Sequence, residues 1–280
     1  MTMENTVFSG DAFRADLEEF THEARKRAEQ LQSASQAADG VRIFWDTLAG
    51  YITKGWVCHI QDHLDKERGR LSQWRIEGHP AIATLERLYR EAKSAADKGM
   101  VAFPGDLERA CKESSLPIDR TSREPNYTFQ NGFLKLNVDT AKHRAHLEDR
   151  EAKLATVPAD IGAVVEVVRA EYQRLFGRPF DGEKFLRKLR SNYQAVLKKE
   201  SLGDGEALPI RRITHRLGKN EKGFHTDEFL IDLSRLAEAG PLEIDGMKLD
   251  LQQTKDINQG MLLHGVASQG YIGFIMFRKA

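Results

Sequence analysis

The chain has 280 residues, with 42 Lys and Arg balanced by 42 Asp and Glu, so it is long enough for two domains or one large one and carries no net charge. Neutrality favours self-association or a stable partner over free scanning along DNA. Two cysteines, Cys58 and Cys111, exclude a disulfide framework, and the apolar runs fall short of the ~20 residues that a membrane helix needs.

The N-terminus MTMENTVFSGDAF lacks a basic region followed by an apolar core, so no secretory signal is expected and the protein reads as cytoplasmic. Residues 11–36 predict a first helix, with Asp11 as its cap and Phe13, Leu17, Phe20, Ala24, Ala28 and Leu31 at helical spacing. Gly40 is expected to break it. A second helix is predicted over 41–74, kinked if at all at Gly55 or Gly69. Pro80 opens a third, with Ile82, Leu85, Leu88, Tyr89 and Ala92 as its stripe. Pro104 and Asp106 open a short helix ending near Cys111. Then YTFQNGFLKLNV reads as a β-hairpin around an Asn131-Gly132 type I′ turn, which sets Phe129 opposite Leu134 and Tyr127 opposite Leu136.

Helix resumes over 158–199. Pro158 is placed in a first turn, Gly177 and Pro179 stop that helix, and Asp181 caps the next. A short helix is predicted over 207–217, and Thr226 is expected to cap another that Gly240-Pro241 ends. A second hairpin turns at Asp245-Gly246, pairing Ile244 with Met247 and Leu242 with Leu249. Strands 261–264 and 271–277 close the chain. The last is apolar on both faces, which suits a buried strand or an interface for a protein partner or a second copy. The fold expected is mainly α with small antiparallel β elements, an α+β protein. It divides into a helical hairpin or bundle over 1–100, a helix plus hairpin over 101–157, and a basic helical segment with a winged-helix-like module over 158–280.

Two constellations carry chemistry. Residues 169–222 hold fourteen Lys and Arg against seven Asp and Glu, a local balance of +7. Helix, helix, hairpin is the order of a winged-helix module, whose second helix commonly enters the major groove. Here that helix carries Asp227, Glu228, Asp232 and Glu238 against Arg235, a poor match to phosphate. Duplex contacts are therefore expected from Lys184, Arg187, Lys188, Arg190, Arg211, Arg212, Arg216, Lys219 and Lys222. The second constellation is His59, Asp62 and His63. The two histidines lie one turn apart on one helical face, so with Asp62 they form half of a possible divalent-metal site or a histidine pair at a helix contact.

No P-loop and no Gly-x-Ser-x-Gly elbow occurs, and the carboxylates Asp245 and Asp250 near Lys255 lack the Glu-x-Lys element of a nuclease, since Glu243 is followed by Ile244 and Asp245. The expected function is a non-catalytic DNA-binding or scaffold subunit of a larger cytoplasmic complex of DNA-processing or defence type. The alternatives are a protein–protein adaptor with no nucleic-acid role and a metal-dependent enzyme built on the His-x-x-Asp-His helix. No cofactor is expected beyond the metal of that last alternative.

Overall fold

The computed structural model describes residues 11–149, 151–256, 258–265 and 271–280, without the side chains of 11–17, so the expected capping by Asp11 lies outside the described side chains. The protein is mainly helical with small antiparallel sheets, an α+β fold. By its internal contacts the chain divides between Trp56 and Val57.

The first part is one helix, α1 (Asp11–Lys54). Gly40 does not break it, contrary to expectation. A glycine inside a helix costs only about 1 kcal/mol, and good helix formers precede it. At 1.5 Å per residue its 44 residues run roughly 66 Å. Its stop is Gly55, at φ +68°. Gly55 N donates to Ile52 O (3.1 Å) and Trp56 N to Tyr51 O (2.9 Å). This is the paired bonding of a Schellman cap, with the Tyr51 and Trp56 rings stacked 6.2 Å apart as its apolar contact.

The second part opens with α2 (Val57–Lys66), α3 (Arg68–Ile76) and α4 (Ile82–Glu113). The expected single helix over 41–74 is thus three pieces. Pro104 lies inside α4 instead of opening a helix. It removes one i→i−4 bond but leaves the apolar stripe Ala96, Phe103, Leu107, Cys111 buried.

Four strands follow as a meander: β1 (Asn126–Phe129), β2 (Leu134–Asp139), β3 (Arg144–Glu148) and β4 (Lys153–Pro158), in the order β1-β2-β3-β4. The β1–β2 register is the expected one, Tyr127 with Leu136 and Phe129 with Leu134. Gln130, Asn131 and Gly132 take φ +52°, +55° and +80°, so the turn at Asn131-Gly132 carries one more left-handed residue than the expected type I′ turn. Strands β3 and β4 were not expected. Pro158 ends β4, and the helix assigned to it starts at Ile161.

Beyond the meander come α5 (Ile161–Phe176), α6 (Gly182–Glu200), β5 (Leu208–Pro209), α7 (Ile210–Asn220), α8 (Thr226–Ala239), β6 (Glu243–Ile244), β7 (Met247–Thr254), β8 (Met261–Leu262) and β9 (Tyr271–Lys279). Asp181 caps α6 as expected, accepting from Lys184 N at 3.0 Å. Thr226 is instead the first residue of α8, and His225 in the cap position makes no side-chain bond. The second hairpin keeps its expected register, Ile244 with Met247. Strand β9 lies between β5 and β7, and five of its nine residues are buried within the chain. One continuous apolar core runs from Phe103 to Phe277 through both sheets and α4 to α8. Among the described residues, no helix is long and apolar enough to cross a membrane.

Candidate functional site

Helix α7 is built from an amphipathic segment. Ile210, Ile213, Thr214 and Leu217 are buried. At 100° per residue, Arg212, His215, Arg216 and Lys219 share the opposite face, at i, i+3, i+4 and i+7. Arg212, His215 and Lys219 are exposed, and Lys222 continues the surface past the end of the helix. Arg216 is half-buried, its Nε enclosed without a hydrogen-bond partner.

The nine expected phosphate contacts separate into two sets. Five are in ion pairs: Arg187 with Glu183 at 2.7 Å, Lys188 with Glu221 at 2.5 Å, Arg190 with Asp245 at 2.7 Å, Arg211 with Glu151 at 3.1 Å, and Arg212 with Glu200. Lys184, Arg216, Lys219 and Lys222 have no carboxylate partner among the described residues. The excess charge of this segment is therefore partly neutralised within the fold, and what remains is shared between α6, with Lys184, Lys198 and Lys199, and α7 with the residues just after it, with Arg216, Lys219 and Lys222. His215 belongs to the same stripe and was missed, although its i+3 spacing from Arg212 was readable.

Of the four acids expected on the exposed face of α8, Glu238 is exposed and the other three are not. Asp227 is buried against Arg174, Glu228 meets the same guanidinium at 2.7 Å, and Asp232 meets Arg178 at 2.8 Å. Seven of its fourteen residues are buried. Enclosed in this way, α8 presents no free face to a major groove.

The His-x-x-Asp-His segment forms α2, but its side chains diverge to different partners. The Asp160 carboxylate accepts from Cys58 N (3.0 Å), His59 N (2.8 Å) and His59 Nδ1 (2.7 Å). Asp160 thus caps α2 across a hundred residues of sequence and holds the His59 ring. Asp62 pairs with Arg144 and, at 2.7 Å, with Lys66. His63 is half-buried on the same helix.

A polar cleft of about 410 Å³ lies beside α2, lined by Gln61, Asp62, Asp65, Lys93, Asp97 and His143 among others. His143, at φ +50°, places Nδ1 3.2 Å from Gln61 Oε1 and Nε2 3.1 Å from Asp97. Asp65 accepts from Arg68 and Tyr89. The carboxylates of the cleft are thus committed to cations or donors, and among the described residues no three His, Cys, Asp or Glu side chains converge to hold a metal ion. Burial, with the nearby Asp160 charge, pushes the Cys58 thiol up to about 12, so it is no nucleophile at neutral pH.

A half-buried polar chain was also missed. His264 Nε2 lies 3.0 Å from Gln130 Oε1, and Gln130 Nε2 donates to Tyr172 OH at 2.6 Å. Rings of Phe133 and Phe176 enclose the imidazole. It ties the first hairpin turn to α5 and to the segment after β8.

No family model, curated protein or solved structure matches the chain.

Proposed function

We propose that this chain is a non-catalytic, DNA-binding scaffold subunit of a larger assembly, of DNA-processing or defence type, and that α7 is its contact with the duplex backbone. The observation that carries the reading is the stripe of Arg212, His215, Arg216 and Lys219 opposite the buried face of α7. The order of elements supports it: α6, β5, α7, α8, β6, β7, β8 and β9, with β9 between β5 and β7, resembles a winged-helix order with two short strands added. The enclosure of α8 makes the contact one with phosphates, without base reading. Anisotropy of a labelled duplex titrated from 50 to 200 mM salt tests this. Each phosphate neutralised contributes roughly −0.9 to the slope of log affinity on log salt. The triple variant Arg216→Glu/Lys219→Glu/Lys222→Glu is expected to lose most of the slope and most of the affinity. A variant that keeps both removes α7 from the reading.

A separate observation favours a protein-docking role beside it. Every residue from Glu18 to Asp39 of α1 is exposed, Phe20 at 64% and Leu31 at 65%. A long helix with exposed apolar residues suits a partner. Light scattering on protein purified from its native cells is expected to give a mass above the 31.7 kDa of one chain. A lone monomer there would sink the docking role.

A further inference from the structure

We infer that Glu200 and Glu221 act as built-in counter-ions of the basic surface, Glu200 for Arg212 of the α7 stripe and Glu221 for Lys188 of α6 beside it, occupying positions that phosphates take when a duplex binds, and so shield the site from weak or isolated anions. This rests on the reading of α7 as the duplex contact. Glu200 is the last residue of α6 and meets Arg212 in the first turn of α7. Glu221 is the residue that ends α7, and its carboxylate meets Lys188 of α6 at 2.5 Å. The two ion pairs therefore bracket α7 at its two ends, and Arg216 and Lys219 lie between them. Lys188, Glu221 and Lys222 also line one small cavity of about 150 Å³.

Three features make these pairs exchangeable. All four side chains reach solvent, Arg212 at 53%, Lys188 at 47%, Glu221 at 34% and Glu200 at 28% exposure. A carboxylate and a phosphodiester each offer two oxygens and one negative charge, so the Arg212 fork accepts either in the same geometry. An exposed ion pair is also weak, which makes displacement by a denser anion feasible. A duplex presents many charges at once. It can displace both carboxylates while neutralising Arg216, Lys219 and Lys222. A single anion gains one contact and must break one, so it gains nothing. The carboxylates thus set a threshold that favours polyanions of high charge density.

The test compares wild type with Glu200→Gln, Glu221→Gln and the double variant, using duplex anisotropy across the same salt range. Glu200→Ala and Glu221→Ala serve as a second pair, and circular dichroism confirms that each variant folds. Removing one carboxylate is expected to tighten duplex binding about twofold to fivefold and to steepen the salt slope by roughly 0.9. The double variant is also expected to bind inorganic phosphate or short oligophosphate that wild type ignores. Unchanged affinity and slope in the Gln and Ala variants, with the Arg216→Glu/Lys219→Glu/Lys222→Glu loss still present, would overturn the counter-ion role and leave the duplex contact standing. Absence of duplex binding by wild type and by every carboxylate variant would remove both.

Discussion

Asp160 caps a helix other than its own. It stands in the cap position of α5 yet spends its carboxylate on the first amides of α2 and on His59. The i, i+4 rule rightly places His59 and His63 on one helical face. It cannot show that the group meeting His59 lies a hundred residues away, which is why a metal constellation was readable there and a cap was not. Asp160 is buried, so Asp160→Ala leaves two amides without an acceptor. A loss of about 1–3 kcal/mol is expected in urea unfolding. Cys58 should resist thiol reagents in the native wild type and react only on unfolding. His264 offers a pH test. Burial, and to a lesser degree Arg235, hold its imidazole below the ordinary value, against the opposing pull of Glu238 and Asp119. The unfolded state therefore takes up the proton first, near pH 6.5. The contribution of His264 is fully present above that pH and is lost as pH falls toward the lower folded value. The unfolding midpoint of wild type is expected to drop more between pH 7 and pH 5 than that of His264→Gln. Equal drops would show that the native protein accepts the proton freely.

Elements whose ends are set by local chemistry were legible. Both two-residue turns could be checked against their own registers, because an apolar residue on the wrong face would have exposed a slip. Asp181 announced α6 for the same reason. Strands β3 and β4 were hidden because their turn has no Gly or Pro. It is closed by the Asp149 side chain, whose Oδ1 accepts from Glu151 N and Ala152 N at 2.7 and 2.5 Å. The many charges of 144–153 also blur the alternation. Glycine misled in the opposite sense, since Gly40 lies within a helix while Gly55 ends it. The difference is the φ of +68° that Gly55 adopts. Packing, invisible in sequence, decides a third glycine. A Cβ on Gly273 of β9 would lie 2.8 Å from Thr254 Cβ on β7, at the register break between Gln252 and Gln253. Gly273→Ala is expected to cost about 1–3 kcal/mol, read as a lower urea midpoint. An unchanged midpoint would mean that the two strands part without cost.

At the scale of the whole molecule, the zero net charge is a balance between segments, and the fold spends much of it internally. The basic excess of 169–222 was legible by counting. Which cations it commits was legible only for local pairs such as Glu183 with Arg187, because Glu151, Asp227, Asp232 and Asp245 are brought close only by the tertiary fold. These pairs differ in kind. Arg174 of α5 is about one-quarter exposed and joins Glu171 with Asp227 and Glu228 at the start of α8. Removing it would strand the Asp227 carboxylate, which is only 4% exposed, without a counter-charge. Arg187 and its partner Glu183 are both more than half exposed. Water and salt already screen that pair, so its loss is cheap. Arg174→Met is therefore expected to destabilise the protein by about 2–4 kcal/mol and to loosen the packing of α5 on α8. Arg187→Met should leave the urea midpoint nearly unchanged. Duplex affinity should reverse part of this order, because Arg187 lies on the exposed α6 surface while Arg174 is locked inside. Equal loss of stability in the two variants would show that burial does not separate the cations that hold the fold from those left to a ligand.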